Sequence, residues 1–258
     1  MTISQTANES ALLAHFRQGV AEDLQELAWL QDRELSYALV EELKQVNFPD
    51  NLGLRLQNSE SQEALDFMRK AVADLPVPIE KKGLDELAVD FASIYLNNNL
   101  HASPYESVWL TEEGLTRQEP MFQVRRWYEK YDLVAQNWRT RPDDHLVLQL
   151  QFISHLFSLD EKLDTLKEVS CFLDEHLLRW IKLFASRVAS RCETPFYAGL
   201  VLLMAQYLDE LRDLLAQIID EPRPSTEEIE QRMKPKIDPT LVNFCTPRFD
   251  EPDEPVKL

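Results

Sequence analysis

One adjacent pair in this chain, Asp144-His145, carries the strongest chemical promise, since it directly follows Arg141-Pro142-Asp143. A carboxylate beside an imidazole can orient a base, or it can pair with a cation that a partner presents. The plainer alternative is a helix-start aspartate beside an incidental histidine. The other histidines are His15, His101, His155 and His176. No two of the five stand at i, i+3 or i+4 with a carboxylate partner, so the helical metal motifs are absent and no metal is expected. Cys171, Cys192 and Cys245 are odd in number and widely spaced, which fits neither a disulfide framework nor a zinc site. Cys192 follows Arg191, a neighbour able to lower a thiol pKa, although a lone cysteine near a helix boundary reads as structural. Paired carboxylates (Glu112-Glu113, Asp143-Asp144, Glu227-Glu228) read as solvated groups at helix starts and loops. Arg125-Arg126 lies in an interior helix and is no export signal.

Glycine excludes more. The five glycines (Gly19, Gly53, Gly83, Gly114, Gly199) each stand 30 or more residues from the next. A phosphate loop needs two in one turn and a dinucleotide fingerprint needs three, so neither can be built. A nucleophile elbow fails for the same reason. With no nucleophile–base pair either, the chain reads as a binding protein without cofactor, not an enzyme.

The elements that position these residues are helical. Periodic apolar positions run through residues 9–47, where Pro49 and Gly53 interrupt them. Ser59-x-x-Gln62 reads as a capping box for a helix through Met68 and Val72 that stops before Pro76. Gly83 precedes a helix with Leu84, Leu87, Phe91, Ile94 and Tyr95 on one side, and Asn97-Asn98-Asn99 ends it. Residues 97–119 form a long loop, too apolar at Tyr105, Val108, Trp109 and Leu110 for a free linker. Helix is expected again over 121–138, and 139–142 is the interior hinge candidate. A further helix is expected to start at Pro142, with Asp143 and Asp144 in its first turn. Ser158-x-x-Glu161 reads as a second capping box, and Thr194-Pro195 opens a helix through Ile218. Seven of the 14 prolines lie beyond Glu221, where the chain turns acidic around one apolar cluster, Leu241, Val242 and Phe244. Strand alternation is hard to find, so the fold class is all-α. The expected divisions are 1–138 with the loop 97–119, 139–220, and a Pro-rich acidic tail, 221–258.

Charge narrows the partner. Lys and Arg number 27 against 45 Asp and Glu, a net charge of −18. Such a surface keeps a protein soluble, repels nucleic-acid phosphate and anionic lipid, and favours a cationic partner. The N-terminus has no basic region followed by an apolar one, and no apolar run approaches the ~20 residues that cross a bilayer. The expected compartment is the cytosol.

Several segments then resemble a known family. Ser103-Pro104-Tyr105-Glu106-Ser107-Val108-Trp109-Leu110 resembles the S-P-Y-E-S-V-Y segment of the TorD/DmsD/NarJ family of redox-enzyme maturation chaperones. Arg141-Pro142-Asp143-Asp144-His145-Leu146, with Leu150, Gln151 and Phe152 after it, resembles the family's P-x-D-H-x-x-x-E-L-x-F-M segment. Phe172-x-x-x-His176-x-x-x-Trp180 and Phe196-Tyr197-x-x-Leu200 resemble two more, and Asp90-Phe91-x-x-Ile94-Tyr95 resembles the helix before the loop. The resemblance covers about residues 84–208, near half the chain.

The resemblance implies an all-helical bundle of two subdomains joined by a hinge, monomeric or a domain-swapped homodimer. It implies a chaperone that binds the twin-arginine signal peptide and apo-form of a molybdoenzyme catalytic subunit, assists cofactor insertion and delays export. Matched by position, Asp144 and His145 stand where the family has its hinge Asp-His. Phe91, Ile94 and Tyr95 match its apolar contact helix, and Tyr105 and Trp109 its loop aromatics. Gln149 or Gln151 stands where the family often has Glu, while His176 and Trp180 read as core. A helical scaffold or co-regulator that binds a folded partner, with no export role, is the alternative.

Overall fold

The computed structural model describes residues 3–137, 139–159 and 162–234, with residues 3–9 as backbone alone. The described residues carry eleven α-helices and no strand, only an isolated bridge, so the all-α reading holds. The helices are α1 (Ile3–Leu30), α2 (Tyr37–Gln45), α3 (Ser59–Asp74), α4 (Lys81–Phe91), α5 (Ser107–Leu110), α6 (Glu119–Lys130), α7 (Leu146–Leu159), α8 (Leu163–Glu175), α9 (Ile181–Ala189), α10 (Pro195–Ile219) and α11 (Thr226–Met233). α4 runs on into a π-helical turn, Ala92–Leu96, that ends at Asn97. The described residues up to Pro224 form one compact unit, and those from Ser225 on belong to a second. In the second unit α11 starts on a full capping box: Ser225 Oγ accepts from Glu228 N, and the Glu228 carboxylate accepts from Ser225 N. The apolar cluster at 241–244, the acidic end and Cys245 lie outside the described residues.

In the first unit α10 is the central element. Its buried residues include Phe196, Tyr197, Leu200, Leu203, Tyr207, Leu208 and Leu211. It packs against α3, α4, α8 and α9, while α1 packs along α7. The α3–α10 crossing is close because Gly199 stands there; a Cβ on it would meet Met68 Sδ at 2.8 Å and Met68 Cα at 3.2 Å. Trp180, Phe172 and Phe184 fill the interior beside them.

Charged side chains from the early helices satisfy backbone groups far along the chain. Asp23 on α1 accepts from Gly53 N at 2.7 Å, Leu54 N at 2.9 Å and the Tyr207 hydroxyl at 2.8 Å. Burial pushes its carboxyl above the usual aspartate range against those three donors. Asp90 accepts from Glu193 N, Thr194 N and Thr194 Oγ1, fixing the N-cap residue and the one before it where the chain enters α10. Arg17 donates to Leu156 O and Phe157 O at 3.2 Å, placing a cation on the last carbonyls of α7.

Several expected boundaries move. Asn58 caps α3, accepting from Ser61 N at 2.7 Å, so Ser59 is the first helical residue and not the cap. Ser158 sits inside α7 and donates to Ser154 O at 3.0 Å; it caps nothing, and Glu161 lies outside the described residues. Gly83 is within α4, not before it. The helix expected to reach 138 ends at Lys130. Asp132 takes φ 56°, Asp132 N donates to Glu129 O and Leu133 N to Tyr128 O. That is a Schellman closure with Asp in the left-handed position where Gly is usual. Pro142 does not open α7, which starts four residues later at Leu146. His145 N closes a turn on Pro142 O, and the backbone around it bonds to the loop instead.

Replacing Asp23 by Ala leaves two buried amides and a hydroxyl without their acceptor. Asp23→Ala is expected to lower unfolding free energy by about 2–4 kcal/mol, and Tyr207→Phe by only about 1 kcal/mol. Urea denaturation followed by circular dichroism measures both; equal losses would refute the assignment of Asp23 as the hub.

Candidate functional site

The loop 97–119 is pinned against the start of α7. Tyr105 and His145 form an antiparallel bridge: Leu146 N donates to Pro104 O at 2.8 Å, and Glu106 N to Asp144 O at 3.2 Å. Asp144 is buried, and its Oδ2 accepts from Ser107 N at 2.8 Å, which fastens the single turn α5. Burial pushes its carboxyl above the ordinary aspartate range.

Beneath the bridge lies a polar network. Glu106 and His176 are both 0% exposed, and Glu106 Oε1 meets His176 Nδ1 at 2.8 Å. Gln149 Nε2 donates to Glu106 Oε2 at 2.9 Å and to Asp144 O at 3.1 Å. A glutamate at 149 would bring a second carboxylate onto Glu106 and lose both of those donations. Asp143 accepts from Arg125 Nη2 at 2.8 Å, and the Tyr128 hydroxyl donates to Asp143 O at 2.9 Å. α6 is thereby tied to the same turn.

His145 is buried beside Tyr105, ring centroids 5.0 Å apart and edge to face. Its Nδ1 accepts from Val147 N at 3.1 Å, which leaves Nε2 to carry the proton. Burial, with Arg141 adding to it, pushes its pKa down to about 3. The imidazole is therefore neutral at physiological pH.

Trp109, half-buried, donates its indole N–H to Ser103 O at 2.8 Å and stacks on Trp180 at 6.4 Å. The Arg187 guanidinium lies 4.4 Å over its ring. Tyr105, Asp144, His145 and Trp109 are thus joined through residues 103–107. Phe91, Ile94 and Tyr95 are placed elsewhere, within the core. Phe91 packs on Tyr95 at 5.0 Å and on Tyr197 at 6.2 Å, and the Tyr95 hydroxyl donates to Gln31 Oε1 at 3.0 Å.

An open groove runs between the segment after α6 and the outer side of α7. One stretch, about 230 Å³, is lined by Tyr128, Leu133, Leu148, Phe152 and His155. The next, about 550 Å³, is lined by Gln136, Asn137, Thr140 and Arg141. Val134, Ala135, Leu148 and Gln151 line both, and Val134 is 80% exposed. Glu129 and Asp132, both exposed, flank the first stretch in sequence, and Arg139 and Arg141 flank the second. The groove is not legible in the sequence, where the helical pattern runs on to 138 and hides the irregular segment after Lys130 that forms its outer wall. Glu106 and Gln149 are not legible as a pair either; their only local signal is the Ser103–Leu110 motif that contains Glu106.

Cys192 is not activated. Burial pushes its thiol up to about 11, and the neighbouring Arg191 guanidinium turns to Leu100 O at 2.7 Å. Among the described residues no three His, Cys, Asp or Glu side chains gather to hold a metal ion.

A histidine whose folded pKa lies below its unfolded value costs stability as pH falls from ~6.5 towards ~3, because the unfolded chain takes up the proton first. The buried His145 is therefore expected to contribute a loss of about 1.4 kcal/mol per pH unit over that window. Asp144, raised, works in the other direction, since its burial costs stability as pH climbs from ~3.8 through its folded pKa. Between pH 7 and pH 5, His145→Gln is expected to lose about 2 kcal/mol less stability than the parent chain. Urea titrations at the two pH values measure it, and parallel losses would show that His145 takes up a proton freely when folded.

A family model described as nitrate reductase delta subunit matches residues 57–186. The Chaperone protein TorD of Vibrio vulnificus (strain YJ016) is 31% identical over 130 residues, 47% of this chain and 60% of that protein. The Chaperone protein TorD of Vibrio cholerae serotype O1 (Classical Ogawa 395) is 28% identical over 144 residues, 53% of this chain and 65% of that protein. That of Aliivibrio salmonicida (strain LFI1238) is 24% identical over 190 residues, 70% of this chain and 88% of that protein. The chain thus spans 60% of the length of the first of these relatives. The matched residues contain the whole of the pinned loop, the bridge, the groove and the Glu106–His176 pair, and the chain belongs to the nitrate reductase delta subunit family, the TorD- and NarJ-type group its motifs resemble.

Proposed function

We propose that this chain is a maturation chaperone and not an enzyme. Its client is the apo catalytic subunit of a molybdopterin oxidoreductase, held through its twin-arginine signal peptide until the cofactor is inserted and export can proceed. The observation that carries this reading is the open groove along α7, whose first stretch has an apolar floor and whose neighbouring residues in sequence include the exposed Glu129 and Asp132. A twin-arginine signal joins two guanidinium groups to an apolar stretch. The floor of Leu148 and Phe152 suits the apolar stretch, which supplies most of the affinity. Glu129 and Asp132, both exposed, suit the arginines.

Within this reading the seven expected residues divide by role. Tyr105 and His145 join the loop to the start of α7, the helix whose outer side lines the groove, and Asp144 and Trp109 hold the loop in place. Phe91, Ile94 and Tyr95 support the loop's upstream end from the core. The surface charge of −18 favours a cationic signal over nucleic acid. No described helix is long and apolar enough to cross a membrane. The relatives named Chaperone protein TorD agree with a holding role.

Calorimetric titration with the twin-arginine signal peptide of a candidate client tests this, with scrambled and twin-lysine peptides as controls. Leu148→Asp, which puts a charge on the groove floor, is expected to weaken binding by about 10–100-fold with little salt dependence. Glu129→Lys with Asp132→Lys is expected to cost about 10-fold at low salt, less as ionic strength rises. A native peptide that binds no better than the scrambled one sinks the reading. Binding only to a folded client body would favour the scaffold.

A further inference from the structure

Away from the groove, α9 carries a charge pattern opposite to the rest of the molecule. Between His176 and Cys192 stand Arg179, Lys182, Arg187 and Arg191, with no Asp or Glu, in a chain of net charge −18. Lys182, Leu183, Ser186, Arg187 and Ser190 are exposed along one side of α9, and Arg191 follows one turn beyond Arg187. Leu183 is 58% exposed, and it shares that side with Arg187 at i, i+4.

The two arginines differ from others in the chain. Arg69, Arg125, Arg126, Arg141, Arg212 and Arg223 each meet a carboxylate. Lys182 meets Asp209 at 2.8 Å. Arg187 and Arg191 form no ion pair among the described residues and are held by other means. Arg187 Nη1 donates to His101 O at 3.0 Å while its guanidinium covers Trp109, and Arg191 Nη1 donates to Leu100 O at 2.7 Å. Two guanidinium groups are thus fixed against one turn, each with further N–H groups to offer.

We propose that this side of α9 is a docking surface for a short acidic segment of a protein partner. A guanidinium fork pairs two N–H groups with a carboxylate, and one already oriented by a carbonyl or a ring gives up less freedom on binding. Leu183 supplies apolar area next to the charges. The choice of a short segment follows from the surrounding charge. A membrane or a nucleic-acid duplex meets the whole acidic surface, whereas a few carboxylates meet only the patch. At physiological ionic strength charges beyond ~8 Å are largely screened. The surface is separate from the groove, so it stands or falls without the signal-peptide reading.

The test is fluorescence anisotropy with the full chain, at about 0.15 M salt, a concentration chosen for that screening length. The probe is a fluorescein-labelled peptide, Glu-Glu-Leu-Glu-Glu-Leu-Glu-Glu. Saturable binding is expected, and Arg187→Gln with Arg191→Gln, which keeps a donor for each carbonyl, is expected to weaken it at least about ten-fold. Lys81→Gln with Lys82→Gln on α4 is expected to leave it unchanged. No binding, equal binding by the Arg187 and Arg191 variant, or equal binding of a Lys-Leu peptide overturns the proposal. Preferential binding of phosphatidylglycerol vesicles or duplex DNA over the peptide overturns it as well. Thermal melts confirm that both variants fold.

Discussion

A carboxylate with no access to water must be met on every side, and Glu106 sets that condition for this structure. Its side chain leaves the loop and enters the interior, where the ring of His176 takes one oxygen and the amide of Gln149 the other. Those two partners sit at the end of α8 and in the first turns of α7. Once they are engaged, the loop can run only where its own backbone meets residues 144–146. Each remaining element of the site follows: the bridge, the turn α5 held by Asp144, and Trp109 lying on Trp180. Breaking one partner of such a set costs more than the whole set contributes, because the remainder is left buried without its hydrogen bond.

The same rule operates at helix ends throughout the first unit. Helix termini leave N–H and C=O groups without intrahelical partners, and inside a protein water cannot supply them. Arg17 serves the end of α7, and Asp90 holds the two residues that lead into α10, each from a distant point in the sequence. These contacts join the early helices to the later ones with direction, where apolar packing alone would permit sliding. The apolar α3–α10 crossing gains its own register from Gly199, which admits Met68 where a side chain would exclude it.

How much of this could be read in advance depended on the range of the signal. Apolar spacing of three and four residues places α3 and α10 well, because periodicity is a local property. The end of α6 was not legible: a left-handed residue closes it, and Asp132 in that position lacks the conformational signature of Gly. The start of α7 was misplaced because the acceptor for Leu146 N is Pro104 O, which no window around 146 contains. Asp144, His145 and Tyr105 stood out through their motifs, and they do meet. Glu106, Gln149 and His176 are paired across 43 and 70 positions, so only the folded chain brings them together. Phe91, Ile94 and Tyr95 show the limit of pattern. An apolar stripe reads the same whether it faces a ligand or a core.

The contact between Arg17 and the last carbonyls of α7 also has a consequence in time. Its two ends are 139 and 140 positions apart, and α1 lies along α7 over much of its length. During synthesis α1 leaves the ribosome long before its partner exists. At ordinary elongation rates that interval is on the order of ten seconds, far longer than a helix takes to form. For that period α1 is a helix with an uncovered apolar side, and a nascent chain in this state is open to aggregation or to capture by other folding factors. This chain thus passes through its own interval as an unfinished protein, and that interval is set by the distance in sequence between α1 and α7.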